Sequence, residues 1–476
     1  MATVTARSLA ALLGEWRATS NGPAYSALAD RVRLLVLDGR VSLGTRLPAE
    51  RELADALGLS RTTVSAAYAD LRDAGYLSST RGSGSVARLP GRAPVALESS
   101  QTGFLDFSKA TMPAIPALAE AAVRAAADLP AYLGDSGFDP IGIPALRQAL
   151  ADRYTARGLP TDPEQIMVTI GAQHAIALLS RTLLARGDRA LVESPSYPHA
   201  FEALRAAGAR LVPVSVTTED GWDETALEQA IQRTSPSLGY LMPDFHNPTG
   251  RSMSAELRER TLALADRHGT ILVADETMAE LSIDRTDDPL PFAAYDTPSG
   301  SAILIGSVGK TVWGGVRIGW IRAERSVIQK LVRARTAGDL GTPALEQLIV
   351  LELLGQYDEI LEARRAYLTA GRDYLERALA AAIPEWQVPR AEGGLTAWVG
   401  IGAPVSSQLT LAARSEGLLL AAGPRFGIDG AFERFIRIPF SHSPAETDRA
   451  VAALATAWGS LSRVPMLDQN FLAEVV

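Results

Sequence analysis

The chain has no cysteine, which rules out disulfides and thiolate-held metals. Its five histidines are scattered and form no HxxxH pair, so the common imidazole route to a metal site is missing too. No uncharged run is long enough to span a membrane. The opening MATVTARSLAALLGEW lacks the basic lead-in and long apolar stretch of a secretory signal, and reads as a helix. Together these absences predict a cytoplasmic protein without a metal. Lysine is nearly absent as well: three residues, at 109, 310 and 330, against forty-three arginines. A lysine in a special setting is therefore not background here.

What is present is an ordinary globular composition. Of 476 residues, 47% are hydrophobic and 21% charged, which allows two or three domains and a large core. The formal net charge of −8 is unevenly spread. Residues 1–88 hold eleven arginines and eight acids, a net of +3, so the remainder carries −11. That excludes a chain-long nucleic-acid sheath but leaves room for one small DNA-reading head.

In residues 8–17, Leu9, Leu12, Leu13 and Trp16 share one helical face; no function follows from it. A second helix is expected from about Tyr25 to Asp38, stopped by Gly39. Next comes LPAERELADALGLSRTTVSAAYADLRDAGYL. Pro48 marks a helix start, Gly58 its end, and Ser60 the cap of the following helix. Two short helices joined at Gly58-Leu59-Ser60 make a helix-turn-helix. Arg61, Thr62 and Thr63 then stand at the exposed start of the second helix, where bases and phosphates are met. Tyr76 to Val86 reads as a hairpin with Arg81-Gly82-Ser83-Gly84 at its tip. The LPxERxLAxxLGxSRxTV run closely resembles the winged helix-turn-helix of GntR-type transcription regulators, over about residues 25–87. The resemblance implies that Arg51, Arg61, Thr62, Thr63 and Arg81 contact double-stranded DNA, with Gly82 and Gly84 letting the wing lie near the backbone. Residues 1–24 are a helical extension, and 88–103, rich in Pro, Ser and Gly, read as a linker.

From residue 104 to 476, apolar runs at 165–170, 190–192, 210–214, 239–242, 271–274 and 302–305 alternate with helical patterns. This predicts an α/β domain with a mainly parallel, buried sheet, whose ligands bind beyond the strands' C-terminal ends. Chemistry-bearing residues fall at those ends. Gly171-Ala172 opens a helix whose free amides suit a phosphate. Tyr197 lies in SPSYP, Asn247 in PDFHNPTG and Asp275 in ADETM. After the sixth run comes GSVGKTVWGGVRIGW, with Ser307, Lys310 and Arg317 among glycines that would let something large and flat come close. A lysine that forms a Schiff base to a phosphorylated aldehyde needs such neighbours.

This ordered set resembles the fold-type I pyridoxal-phosphate enzymes of the aspartate aminotransferase family. The resemblance implies pyridoxal phosphate as cofactor and a smaller α+β subdomain from about residue 365. Lys310 would form the internal aldimine and Asp275 would pair with the pyridine nitrogen. Asn247 would bond the ring oxygen and Tyr197 would stack on the ring. Ser307, Arg317, Gly171 and Ala172 would hold the phosphate. Arg437, in RFIRIPF, would grip a substrate α-carboxylate, and Tyr132 would reach the phosphate of a neighbouring subunit. Two positions depart from the family. Met278 stands where many relatives carry a tyrosine that donates to the ring oxygen, and Gly309 precedes the lysine in place of serine.

Head, linker and body in one chain resemble the MocR subfamily of regulators. That implies a head-to-tail homodimer, with a small amino compound or the cofactor itself as effector. Met278 places efficient transamination in doubt, so at most slow turnover is expected. The alternative is an active aminotransferase carrying a DNA-binding head.

Overall fold

The computed structural model describes Thr3 to Leu461 except residues 15, 18–22, 39, 43, 81–83, 89–102, 135, 286–289, 297–301 and 429. The expected wing tip, with Arg81 and Gly82, and most of the 88–103 linker lie outside the described residues.

The head comprises α1 (Ala6–Leu13), α2 (Ala24–Leu37), α3 (Glu50–Leu57) and α4 (Arg61–Asp73), then β1 (Leu77–Thr80) and β2 (Gly84–Ala87). Ser60 caps α4, its hydroxyl accepting from the Thr63 amide at 3.1 Å. Gly58 ends α3 in the left-handed region, φ 62°, which costs glycine nothing. Pro48 is not the first helical residue, because Ala49 is the cap. Its carbonyl instead accepts from the buried Tyr68 hydroxyl at 3.0 Å, tying the start of α3 to α4. Val64, Ala67, Tyr68 and Leu71 of α4 pack with Leu28, Val32 and Leu35 of α2. Leu9, Leu13 and Trp16 close the same core. The N-terminal helix, without a role in the sequence, is thus part of the head.

The body is built on an eight-stranded sheet. Its spatial order is Ile166–Thr169, Gly319–Arg322, Ile303–Ser307, Ile271–Asp275, Leu238–Leu241, Arg189–Ser194, Arg210–Thr217 and Gly221–Trp222. The five strands from 303–307 across to 210–217 pair in parallel. Neighbouring residues face opposite cores: Leu191, Leu241 and Leu304 on one side, Val192, Tyr240 and Ile305 on the other. Each expected run became a strand. Gly319–Arg322 was not anticipated; it runs antiparallel between 166–169 and 303–307.

The long helix Tyr357–Ala382 leads to a three-stranded sheet of Thr396–Gly400, Phe435–Pro439 and Ala421–Ala422. Phe107, Ala110 and Met112 join the core beneath it. They get there because Leu105–Asp106 pairs in parallel with Leu418–Leu419. The segment that follows the linker therefore belongs, by packing, to the far end of the chain.

Candidate functional site

The C-terminal ends of the parallel strands open into a cavity of about 710 Å³, within the usual range for small-molecule sites. Asp275, the last residue of its strand, is buried in the wall. The Tyr240 hydroxyl donates to one carboxylate oxygen at 2.7 Å, and the Thr277 amide to the other at 3.0 Å. Burial pushes the Asp275 pKa up; the two donors and the Lys310 charge act against it. Lys310 points into the same cavity and donates to the Ala110 carbonyl. Burial, then the Arg437 charge, push its pKa down to about 8, with Asp275 opposing.

Ser307 ends the neighbouring strand, and its hydroxyl donates to the Ile318 carbonyl at 2.9 Å. Arg317 donates to the Ile170 carbonyl at 3.0 Å, beside the start of helix Ala172–Leu183. A Cβ on Gly171 would lie 3.0 Å from that guanidinium, so the glycine lets it settle there. Arg317 itself sits at φ 57°, a strained backbone of the kind that collects at working sites. Ala172 lines the cavity; Gly171 is the residue before it, capping the helix. Helix amides, a hydroxyl and a guanidinium together make an anion cradle.

Tyr197 caps helix Pro198–Ala206 and also lines the cavity. Asn247 accepts from Arg437 at 3.4 Å. The other Arg437 terminal nitrogen donates to the Ser108 carbonyl at 2.5 Å, while its buried Nε has no partner. The guanidinium lies 4.9 Å above the Phe426 ring. Burial lowers its pKa to about 10, which leaves it charged at neutral pH. Met278 is buried in the wall and offers no donor. Tyr132 stands apart: half-buried at the end of the turn Leu129–Tyr132, it packs on the large-domain core and does not line its own chain's cavity.

The glycines around Lys310 have a partly different purpose from the one expected. The flat object against two of them is an indole of the same chain. A Cβ on Gly306 would meet Trp320 at 2.2 Å, and one on Gly315 would meet Trp313 at 2.3 Å. Gly309 and Gly314 do face the cavity.

Three features were not foreseen. Tyr240 behind Asp275 is one. The strap of Ser108 to Thr111 is another; its carbonyls hold Arg437, Lys310 and, at 2.7 Å, the Ser441 hydroxyl. The third is the head itself. Leu34 and Asp38, at the end of α2, line the cavity. Arg31 pairs with Glu433 at 3.1 Å, and Arg425 donates to the Asp38 carbonyl at 3.3 Å. Burial, and then Glu433, push the Asp38 carboxyl up to about 6. On the head, Arg51, Arg61 and Thr62 are exposed, and the Ser60 hydroxyl is shared with those of Thr62 and Thr63, each at 2.7 Å. Among the described residues no metal-binding cluster occurs, and no helix is long and apolar enough to cross a membrane.

Residues 102–454 match the aminotransferase class I and II family. The chain belongs to that family. Residues 24–86 match the gntR family of bacterial regulatory proteins, and the two joined in one chain are the architecture of MocR-type regulators. The chain is 27% identical over 462 residues to an uncharacterised HTH-type transcriptional regulator of Bacillus subtilis, YdfD, covering 89% of this chain and 94% of that one. It is 32% identical over 293 residues to 2-aminoadipate transaminase of Thermus thermophilus, covering 60% and 73%. Among solved structures, the α-aminoadipate aminotransferase LysN of Thermus thermophilus, complexed with N-(5'-phosphopyridoxyl)-L-leucine, superimposes with a TM-score of 0.68. That match is 29% identical and covers 75% of this chain and 92% of LysN. The body thus has the fold of pyridoxal-phosphate aminotransferases. The residues present fit that cofactor: a lysine at the cavity, a buried carboxylate behind it, an anion cradle, and a buried guanidinium with a nitrogen to spare.

Proposed function

We propose that this protein is a DNA-binding transcription regulator whose body holds pyridoxal phosphate through Lys310 and responds to an amino compound or to the cofactor itself. The observation that carries this reading is a shared wall. Leu34 and Asp38 of α2 line the cavity that contains Lys310, while Leu28, Val32 and Leu35 of the same helix pack with the reading helix α4. A change in the cavity therefore has one helix to cross before it meets the DNA-contacting side chains, Arg61, Thr62 and Thr63.

Bound in the cavity, pyridoxal phosphate supplies an aldehyde that condenses with amines and a ring that withdraws electrons once protonated. The chain does the rest. Ser307, Arg317 and the amides around Ala172 would hold the phosphate. Asp275, its carboxylate fixed by Tyr240, would keep a proton on the ring nitrogen. Asn247 would bond the ring oxygen and Tyr197 would stack on the ring. Lys310, lowered to about 8, presents a useful fraction of neutral amine near neutral pH. Arg437 takes an α-carboxylate in exchange for the Ser108 carbonyl. An amino compound held by Arg437 would lie against the Lys310 amine, and the strap and the wall at Asp38 are the parts that would have to adjust. A head-to-tail dimer, with Tyr132 serving the partner's site, belongs to the same reading.

The full set of Lys310, Asp275 and Arg437 favours a second reading, a working transaminase; Met278 stands against it. Turnover of an amino donor and keto acid at about 1 per second or more would decide for the enzyme. The regulator is tested by gel-shift titration on DNA upstream of the protein's own gene, at one fixed salt concentration. Pyridoxal phosphate should change the affinity or band pattern for the wild type and not for Lys310→Ala. DNA binding indifferent to both the cofactor and added amines would sink the reading.

A further inference from the structure

Arg425 has a place in the cavity that none of the roles above uses. It lies in the turn Gly423–Phe426, immediately before the Phe426 ring that lies beneath Arg437. The Ser196 amide donates to the Phe426 carbonyl at 2.9 Å, which fixes this turn to the loop that carries Tyr197. The Arg425 guanidinium lines the mouth of the cavity and is about one-third exposed. It is poorly matched by carboxylates: Glu202 is 4.0 Å away. Its hydrogen bond goes to the Asp38 carbonyl, at the C-terminal end of α2, the negative end of that helix. Arg414 is a second cation at the mouth, and it lies over the Phe104 ring. Lys109 is also there but is paired with Asp106 at 2.8 Å. Among the described residues that line the cavity, the acidic ones are the inner Asp275 and Asp38.

The head's negative helix end thus occupies a guanidinium that faces the ligand cavity. We propose that the mouth is a subsite for a second anionic group, carboxylate or phosphate, on an amino effector, and that this group takes Arg425 in competition with the C-terminal end of α2. The proposal rests on the effector reading above and names its class: amino acids with an acidic distal group. Arg437 takes the α-carboxylate and Arg425 the distal anion. Once the distal anion is bound, α2 keeps the Arg31–Glu433 pair, which Ser406 and Ser407 hold on the body side, but loses its contact at Asp38. The head is then loosened at the end that lines the cavity. A neutral amino acid can occupy Lys310 and Arg437 and leave the head docked.

The test uses the full chain loaded with pyridoxal phosphate. The absorption of the lysine-bound cofactor is titrated with L-glutamate, L-2-aminoadipate and O-phospho-L-serine, with the neutral isostere L-glutamine and with the basic L-ornithine. Hydrogen exchange of residues 34–38 is followed in parallel. At least one acidic ligand should bind about tenfold or more tightly than glutamine, the scale of one charge-assisted hydrogen bond, and should speed exchange at 34–38. Which acidic ligand does so separates carboxylate from phosphate and gives the chain length. Arg425→Gln should erase the preference and leave glutamine binding unchanged; Arg425→Lys should keep part of it. Equal binding of glutamine, preference for ornithine, or a preference that survives Arg425→Gln overturns the proposal. Absence of the cofactor absorption in the wild type would instead overturn the reading beneath it.

Discussion

At the inner end of the cavity, Asp275 and Ser307 stand at the ends of adjacent parallel strands, with Lys310 three residues beyond. At the mouth, Asp38, Ser108 and Arg425 come from three segments far apart in the chain, joined to their surroundings by a few polar contacts. The inner groups have their backing in the same sheet, as Tyr240 backs Asp275. The mouth has no such common support, and one of its walls is the DNA-binding head. A rigid floor suits a cofactor that must be held in one geometry. A composite mouth suits a part that must move when a ligand arrives. The two ends can therefore be perturbed separately.

The largest expected effect lies at the floor. Lys310 has its pKa pushed down to about 8 by burial and by Arg437, so the neutral amine prevails above that pH and fades below it. At neutral pH its neutral fraction is roughly a few hundredfold that of an ordinary lysine. The rate of cofactor capture, followed by absorbance, should rise with pH and level off with a midpoint near 8. Arg437→Gln removes a neighbouring positive charge and should move that midpoint upward in pH; burial acting alone would leave it where it is. A wild-type rate still climbing at pH 10 would show that the floor does not tune its lysine.

How much of this was legible follows the same division. Asp275 and Lys310 each come just after an apolar run that reads as a strand, so their place at strand ends was visible in order. Tyr240 was not: the strand Leu238–Leu241 is buried at every position, and a strand covered on both faces shows no alternation to say which way a residue points. Asp38 read as the end of a helix, which it is, and no local pattern says that this end lies against a cavity in another domain. The Ser108 strap is placed by the pairing of Leu105–Asp106 with Leu418–Leu419, a contact between distant segments that leaves no periodic trace.

A smaller effect tests whether the head reads DNA independently of the mouth. Arg61 is exposed at the first position of α4. Arg61→Ala should cost about 1–3 kcal/mol in specific DNA binding if the side chain reads a base, measured by fluorescence anisotropy against a non-specific duplex. The cofactor's absorption and its affinity should stay as they are. Loss of cofactor binding in this variant would break the comparison, since it would make the reading helix part of the site.

The smallest effect lies behind the floor. Tyr240 donates to a buried carboxylate, and that bond favours the charged form of Asp275 against the burial that disfavours it. Tyr240→Phe removes the donor and should raise the Asp275 pKa further. With the folded pKa raised, the native state holds its proton to higher pH than the unfolded chain does. Stability is then lost as pH rises from the unfolded value toward the folded one. The cofactor-free variant should be less stable than wild type by about 1 kcal/mol at neutral pH, the net scale of an intramolecular hydrogen bond. That gap should narrow as pH falls below the native pKa of both proteins, where the native carboxyl is neutral in each. Urea melts at several pH values measure it directly. A pH-independent difference would mean that Tyr240 contributes packing alone and that the floor's carboxylate is held charged by other groups.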